Sequence, residues 1–100
     1  MKTYRLIVNP FAELDLHTAK DWYELKKPGL GDEFVKEIDN TILRITENPY
    51  QFGFAKKKTH RAVVKRFPYS IFYIITNDLI TVFAIFHFSR NPKTWKGRIK

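Results

Sequence analysis

The apolar positions of this chain change period twice, and each change marks a different kind of element. Tyr4-Arg5-Leu6-Ile7-Val8 is a short β-type run stopped by Asn9-Pro10. Asn9 suits a helix N-cap and Pro10 the first helical position, so a helix is expected to begin there. Ala12, Leu16, Ala19 and Tyr23 then recur at helical spacing and give that helix one apolar stripe. Glu13, Asp15, Asp21 and Glu24 read as its solvated face. Pro28-Gly29-Leu30-Gly31 breaks the pattern. Asp32 is expected to cap a second helix, with Phe34, Ile38, Ile42 and Ile45 on one face and Asn48-Pro49 ending it. Two amphipathic helices across a short Pro/Gly turn make a helical hairpin.

Everything after that reads as strand. Ala62 to Phe67, Ser70 to Thr76 and Leu79 to Phe88 are rich in Val, Ile, Phe, Tyr and Thr, with Pro68-Tyr69 and Asn77-Asp78 between them. The last two runs are apolar at nearly every position, so the centre of the sheet should be covered on both faces. The helical hairpin covers one; the C-terminal segment or a partner is expected over part of the other. The order β-α-α-β-β-β predicts an α+β domain, a helical hairpin packed on a mainly antiparallel sheet. Its 100 residues suit a single domain, residues 1–100.

Charge changes the picture. From Met1 to Ala55 there are 7 Lys/Arg against 9 Asp/Glu; from Lys56 to Lys100 there are 11 against one, Asp78. Nearly all of the +8 net charge therefore lies on one contiguous piece of the fold. A polyanion is the expected partner, because clustered Lys and Arg release counterions from phosphates. The chain has no cysteine, so disulfides and thiol nucleophiles are excluded, and His17 and His60 stand alone. No metal site or cofactor is expected. No apolar run is long enough to cross a bilayer, and no cleavable leader is evident, so a cytoplasmic protein without membrane contact is expected.

Several segments carry a resemblance: Trp22-Tyr23, Pro28-Gly29-Leu30-Gly31 with Phe34, Asn48-Pro49, Arg66-Phe67-Pro68-Tyr69 with Tyr73, and His87 through Arg90, Pro92, Trp95 and Arg98. In this order and spacing they resemble the RelE/ParE superfamily of bacterial toxins from type II toxin–antitoxin pairs. The resemblance implies a compact toxin neutralised by a cognate antitoxin wrapped over it. RelE-like members cut mRNA on the ribosome; ParE-like members inhibit DNA gyrase.

Metal-free RNA cleavage needs a base for the 2′-OH, cations for the phosphorane and an acid for the leaving oxygen. His87 is the proton-transfer candidate, since its ordinary pKa lies near neutrality. The resemblance implies Arg61, at the start of a basic strand, and Arg90 as cations. Strand parity puts Lys65 on the same side as Arg61, and Arg66 opposite, near a helix end or in a structural ion pair. Lys56, Lys57, Lys58, Lys93 and Arg98 are candidates for phosphate contact, and Trp95 for base stacking. The alternatives are a solvated basic loop at Lys56–58 and a structural C-terminal lock made by His87, Arg90 and Trp95. Sequence favours a ribosome-dependent mRNA endonuclease, with gyrase inhibition or plain nucleic-acid binding as alternatives.

Overall fold

The computed structural model describes residues 3–95 and residue 98, with Pro92 and Trp95 described in their backbone only. The chain forms β1 (Arg5–Val8), α1 (Pro10–Lys26), α2 (Leu30–Glu47), a one-turn helix at Pro49–Gln51, β2 (Phe54–Lys56), β3 (Thr59–Val63), β4 (Tyr69–Thr76), β5 (Leu79–His87) and a helical turn at Pro92–Trp95. The strands make one sheet in the order β1-β5-β4-β3-β2. β1 runs parallel to β5, and every other neighbour is antiparallel. Both helices lie on one face, as the α+β reading requires.

Asn9 caps α1 by accepting the Ala12 amide at 3.1 Å, with Pro10 in the first turn. The expected stripe packs inward: Ala12 and Ala19 are buried, and Leu16 and Tyr23 lie against the core. Phe34, Ile38 and Ile45 do the same for α2. Asp32 is not its cap. Gly29 holds that position at φ 88, and Glu24 reaches from α1 to accept the amides of Gly29 at 2.8 Å and Gly31 at 3.0 Å. Glu24 is therefore a clamp on the hairpin as well as part of the exposed face. Asp32 instead makes a long 3.9 Å contact with Lys20, exposed on both sides.

The C-terminal strands differ from expectation at one end. β2 was not legible: it is three residues long and wholly exposed, so no alternation marks it. Lys57, at φ 49, and Lys58 form the turn that starts β3 at Thr59 rather than Ala62. β3 also ends at Val63, earlier than Phe67, because Arg66 sits at φ 71 and turns the chain. From there Arg66 donates to Glu33 at 2.6 Å and Glu37 at 3.4 Å, the structural ion pair weighed above.

β4 and β5 meet at the Asn77-Asp78 turn, with Asn77 at φ 58. Phe72 pairs with Ala84 and Tyr73 with Val82, so Phe83 is an extra residue in β5. This bulge shifts the alternation. Ile80, Val82 and Ile85 join the helix-side core, whereas Phe83, Ala84, Phe86 and Phe72 form a second apolar cluster on the other face. Both faces are indeed buried.

Candidate functional site

β1 pairs with β5 only from Leu79 to Val82. Beyond that point side chains, not a strand, complete the edge of β5 among the described residues. Asp15 projects from the buried stripe of α1 and accepts the Ile85 amide at 3.0 Å. Arg98 donates to the Phe83 carbonyl at 3.1 Å and grips Asp15 at 2.7 and 3.3 Å. Arg90 donates to the same carboxylate at 3.2 Å. The Asn9 amide nitrogen meets the Arg98 carbonyl at 3.4 Å, which joins the start of α1 to the C-terminal segment.

Asp15 therefore belongs to a buried ion cluster, not to a solvated face. Its side chain is 6% exposed and that of Arg98 10%, whereas Arg90 is 44% exposed. Two guanidinium groups face one carboxylate, so the cluster carries an excess positive charge whose accessible part is Arg90. Both arginines also lie over the Phe86 ring, at 4.1 Å for Arg90 and 5.0 Å for Arg98. They cover the outer apolar cluster, which the sequence assigned to the C-terminal segment or a partner. The position was marked in the sequence after all. Residue 15 is three residues after Ala12 and four before Ala19, on the same helical stripe.

An open groove of about 360 Å³ lies on the outer face. Phe54, Arg61, Ser70, Phe86, His87, Phe88 and Arg90 line it, so the structure brings three of the candidate residues together. No acidic side chain is among its lining residues. Arg61 is held there by donating Nε to the Ser70 hydroxyl at 2.8 Å, with Phe88 5.4 Å beneath its guanidinium. Lys65 lies past the end of β3, exposed, and does not line this groove. Lys56, Lys57 and Lys58 form the exposed tip between β2 and β3. Lys93 is exposed in the last helical turn, its amide donating to Asn91 at 2.9 Å. The stacking role expected of Trp95 lies outside the described side chains.

His87 ends β5 on the helix side, where its ring meets Tyr69 edge-on at 5.3 Å. Its Nδ1 accepts the Ser89 amide at 3.0 Å, and the Ser89 hydroxyl lies 2.9 Å away. A backbone amide can only donate, so Nδ1 is the unprotonated nitrogen and Nε2 carries the proton. The basic nitrogen is thus engaged in closing the turn after β5. Tyr69 itself is pushed above the usual phenol range by burial first, and then by Tyr23 and Asp15.

A second groove, about 610 Å³, opens between α1 and the ends of β4 and β5. Leu14, Trp22, Tyr23, Tyr69 and Ile85 give it apolar walls, and Asp15, His87, Arg90 and Arg98 a polar end. Leu14, Trp22 and Leu25 on the open side of α1 are more than half exposed, at 64%, 54% and 87%.

A family model described as the ParE toxin of the type II toxin–antitoxin system parDE matches residues 6–92. The chain belongs to the ParE toxin family. The match spans both helices, all of β2 to β5, β1 but for its first residue, and the start of the last helical turn. An antitoxin is accordingly the partner that a ParE-family toxin implies, as the sequence resemblance had it. Among solved structures, the chromosomal ParDE system from P. aeruginosa contains a chain with the same fold. The TM-score is 0.76 at 17% identity, covering 85% of this chain and 96% of that one. No curated protein sequence matches the chain significantly. No described helix is long and apolar enough to cross a membrane, and no described His, Asp or Glu group could hold a metal ion.

Proposed function

We propose that this protein arrests growth as a ParE-type toxin that binds and inhibits DNA gyrase, and not by cutting mRNA. The observation that carries this reading is the state of His87. The endonuclease favoured by sequence alone needs His87 as a free base beside the scissile phosphate. Here its basic nitrogen is engaged by the Ser89 amide, and its ring packs edge-on against Tyr69. Two further cations assigned to phosphate, Arg90 and Arg98, are already paired with Asp15. What remains is a strongly basic surface with little acid–base chemistry, which suits docking onto a nucleic-acid machine better than catalysis. The cognate antitoxin would be expected to carry an acidic segment, given the +8 charge of the toxin.

The endonuclease is kept as a second reading on one observation: Arg61, His87 and Arg90 share the rim of an outer groove lined by no acid. Two assays separate the readings. Purified toxin is expected to block supercoiling by gyrase, and induced cells to show intact transcripts by primer extension. Cuts within translated regions that disappear in His87→Ala would overturn the proposal.

A further inference from the structure

We infer that Asp15 is the positioning residue of the toxic surface, holding the basic segment that follows β5 in its working place. The inference rests on the toxin reading above, but not on which target is inhibited. The segment from Phe88 to Thr94 carries the exposed groups Phe88, Arg90 and Lys93. Several bonds within it are local turns: Arg90 to His87, Lys93 to Asn91 and Thr94 to Asn91. The Phe88 amide ties its start to the Pro68 carbonyl at 2.9 Å, and beyond that point its ion pairs with the body of the fold converge on one carboxylate. Arg90 reaches Asp15 from before the last helical turn, and Arg98 reaches it from beyond.

The chemistry of the cluster makes this dependence specific to charge. Both guanidinium groups lie over the same Phe86 ring, and the Asp15 charge is what holds them there together. Asparagine at this position keeps an oxygen for the Ile85 amide, so the edge of β5 stays satisfied. It loses the ion pairs, and two like charges are left facing each other. The expected result is a folded protein whose C-terminal cations no longer hold their place. Asp15 contacts no target in this scheme; it acts through Arg90 and Arg98.

The test compares wild type, Asp15→Asn, Asp15→Glu and Tyr73→Phe, measuring thermal midpoint, inducer dose for half-maximal growth arrest, and gyrase inhibition. Tyr73→Phe is a control that destabilises the fold away from this cluster, by removing a hydroxyl bonded to the Pro49 carbonyl at 2.6 Å. Asp15→Asn should fold and protect the Ile85 amide from hydrogen exchange, yet need roughly tenfold more inducer. Asp15→Glu, which restores the charge, should recover most of that loss, and Tyr73→Phe should arrest growth as wild type does. Arrest by Asp15→Asn at the wild-type dose would overturn the inference. So would a loss of potency in Tyr73→Phe matching its loss of midpoint. Should Asp15→Asn fail to fold, Arg98→Gln decides: it removes one of the two charges that Asp15 pairs, and wild-type potency there would overturn the inference. If gyrase is untouched by every form while the growth pattern holds, the target assignment fails and the role of Asp15 stands.

Discussion

Gly31→Ala sets two rules against each other, and the structure says which wins. Alanine is the better helix former by about 1 kcal/mol, so propensity alone predicts a more stable protein. A Cβ at residue 31, however, would lie 2.7 Å from the Lys20 carbonyl oxygen and 2.9 Å from a Glu24 carboxylate oxygen. The first neighbour is backbone of α1 and cannot swing away, so the helices must separate. Overpacking of this kind costs about 1–3 kcal/mol. The shift also weakens the bond from the Gly31 amide to Glu24, charge-assisted and worth about 1.5–3 kcal/mol when intact. The net expectation is a loss of about 2 kcal/mol, which for a domain of this size lowers the thermal midpoint by about 10 °C. Melting followed by circular dichroism measures it, with Gly53→Ala as control, since a Cβ there meets nothing within 4 Å. A midpoint for Gly31→Ala at or above wild type would refute the reasoning about the helix contact.

Tyr73→Phe should cost about 1 kcal/mol in urea unfolding, the net value of one hydrogen bond in a buried site, with no change in m-value. Lys57→Gly should raise stability by up to about 1 kcal/mol, because glycine takes the left-handed backbone of the β2–β3 turn without strain. Equal midpoints would show that the turn is not strained. The Arg66 hydrogen bond, and secondarily its charge, hold the Glu33 carboxyl below its ordinary pKa. A carboxyl depressed in the folded state contributes stability at neutral pH and loses it as pH falls through the folded pKa. Glu33→Gln should therefore flatten part of the acid side of the stability–pH curve, and parallel curves for the two proteins would count against the pair. Arg61→Ala should leave the midpoint nearly unchanged and weaken growth arrest. Full toxicity would remove the outer groove from the working surface.

Much of this fold was legible because its signals were local. Asn9-Pro10 opens α1, Asn48-Pro49 closes α2, and Asn77-Asp78 joins the last strands, each by backbone preferences that need no tertiary context. The doubly apolar runs correctly announced a sheet buried on both faces. What failed to show depended on distant partners. Asp32 had the composition of a cap, but Glu24 arrives from another helix and takes that role. β2 carries no pattern because neither face is buried, and β3 is cut short by Arg66 answering two acids on α2. At the candidate site, the basic groups were visible as composition, and the outer groove does gather Arg61, His87 and Arg90. Asp15 is hidden when its polarity alone is considered and visible in its helical phase. Its helical phase marks it as buried, and a buried carboxylate requires cations that come from residues 90 and 98.

The parallel pairing of β1 with β5 has a consequence for how the protein comes to exist in a cell. Residues 5–8 find their partners only at residues 79–82, and Asp15 finds its tightest cation at residue 98. At elongation rates of about 5–20 residues per second, the first strand waits seconds for its neighbour to be made. During that interval the two helices can form, but the sheet that receives them is missing, and contacts so distant along the chain are intrinsically slow to close. A nascent chain halted anywhere before β5 has no place for β1, and one halted before residue 98 leaves the carboxylate of Asp15 without its fork. Translation thus imposes its own delay between the start of synthesis and the first active molecule, and an antitoxin already present meets a poison that is still incomplete.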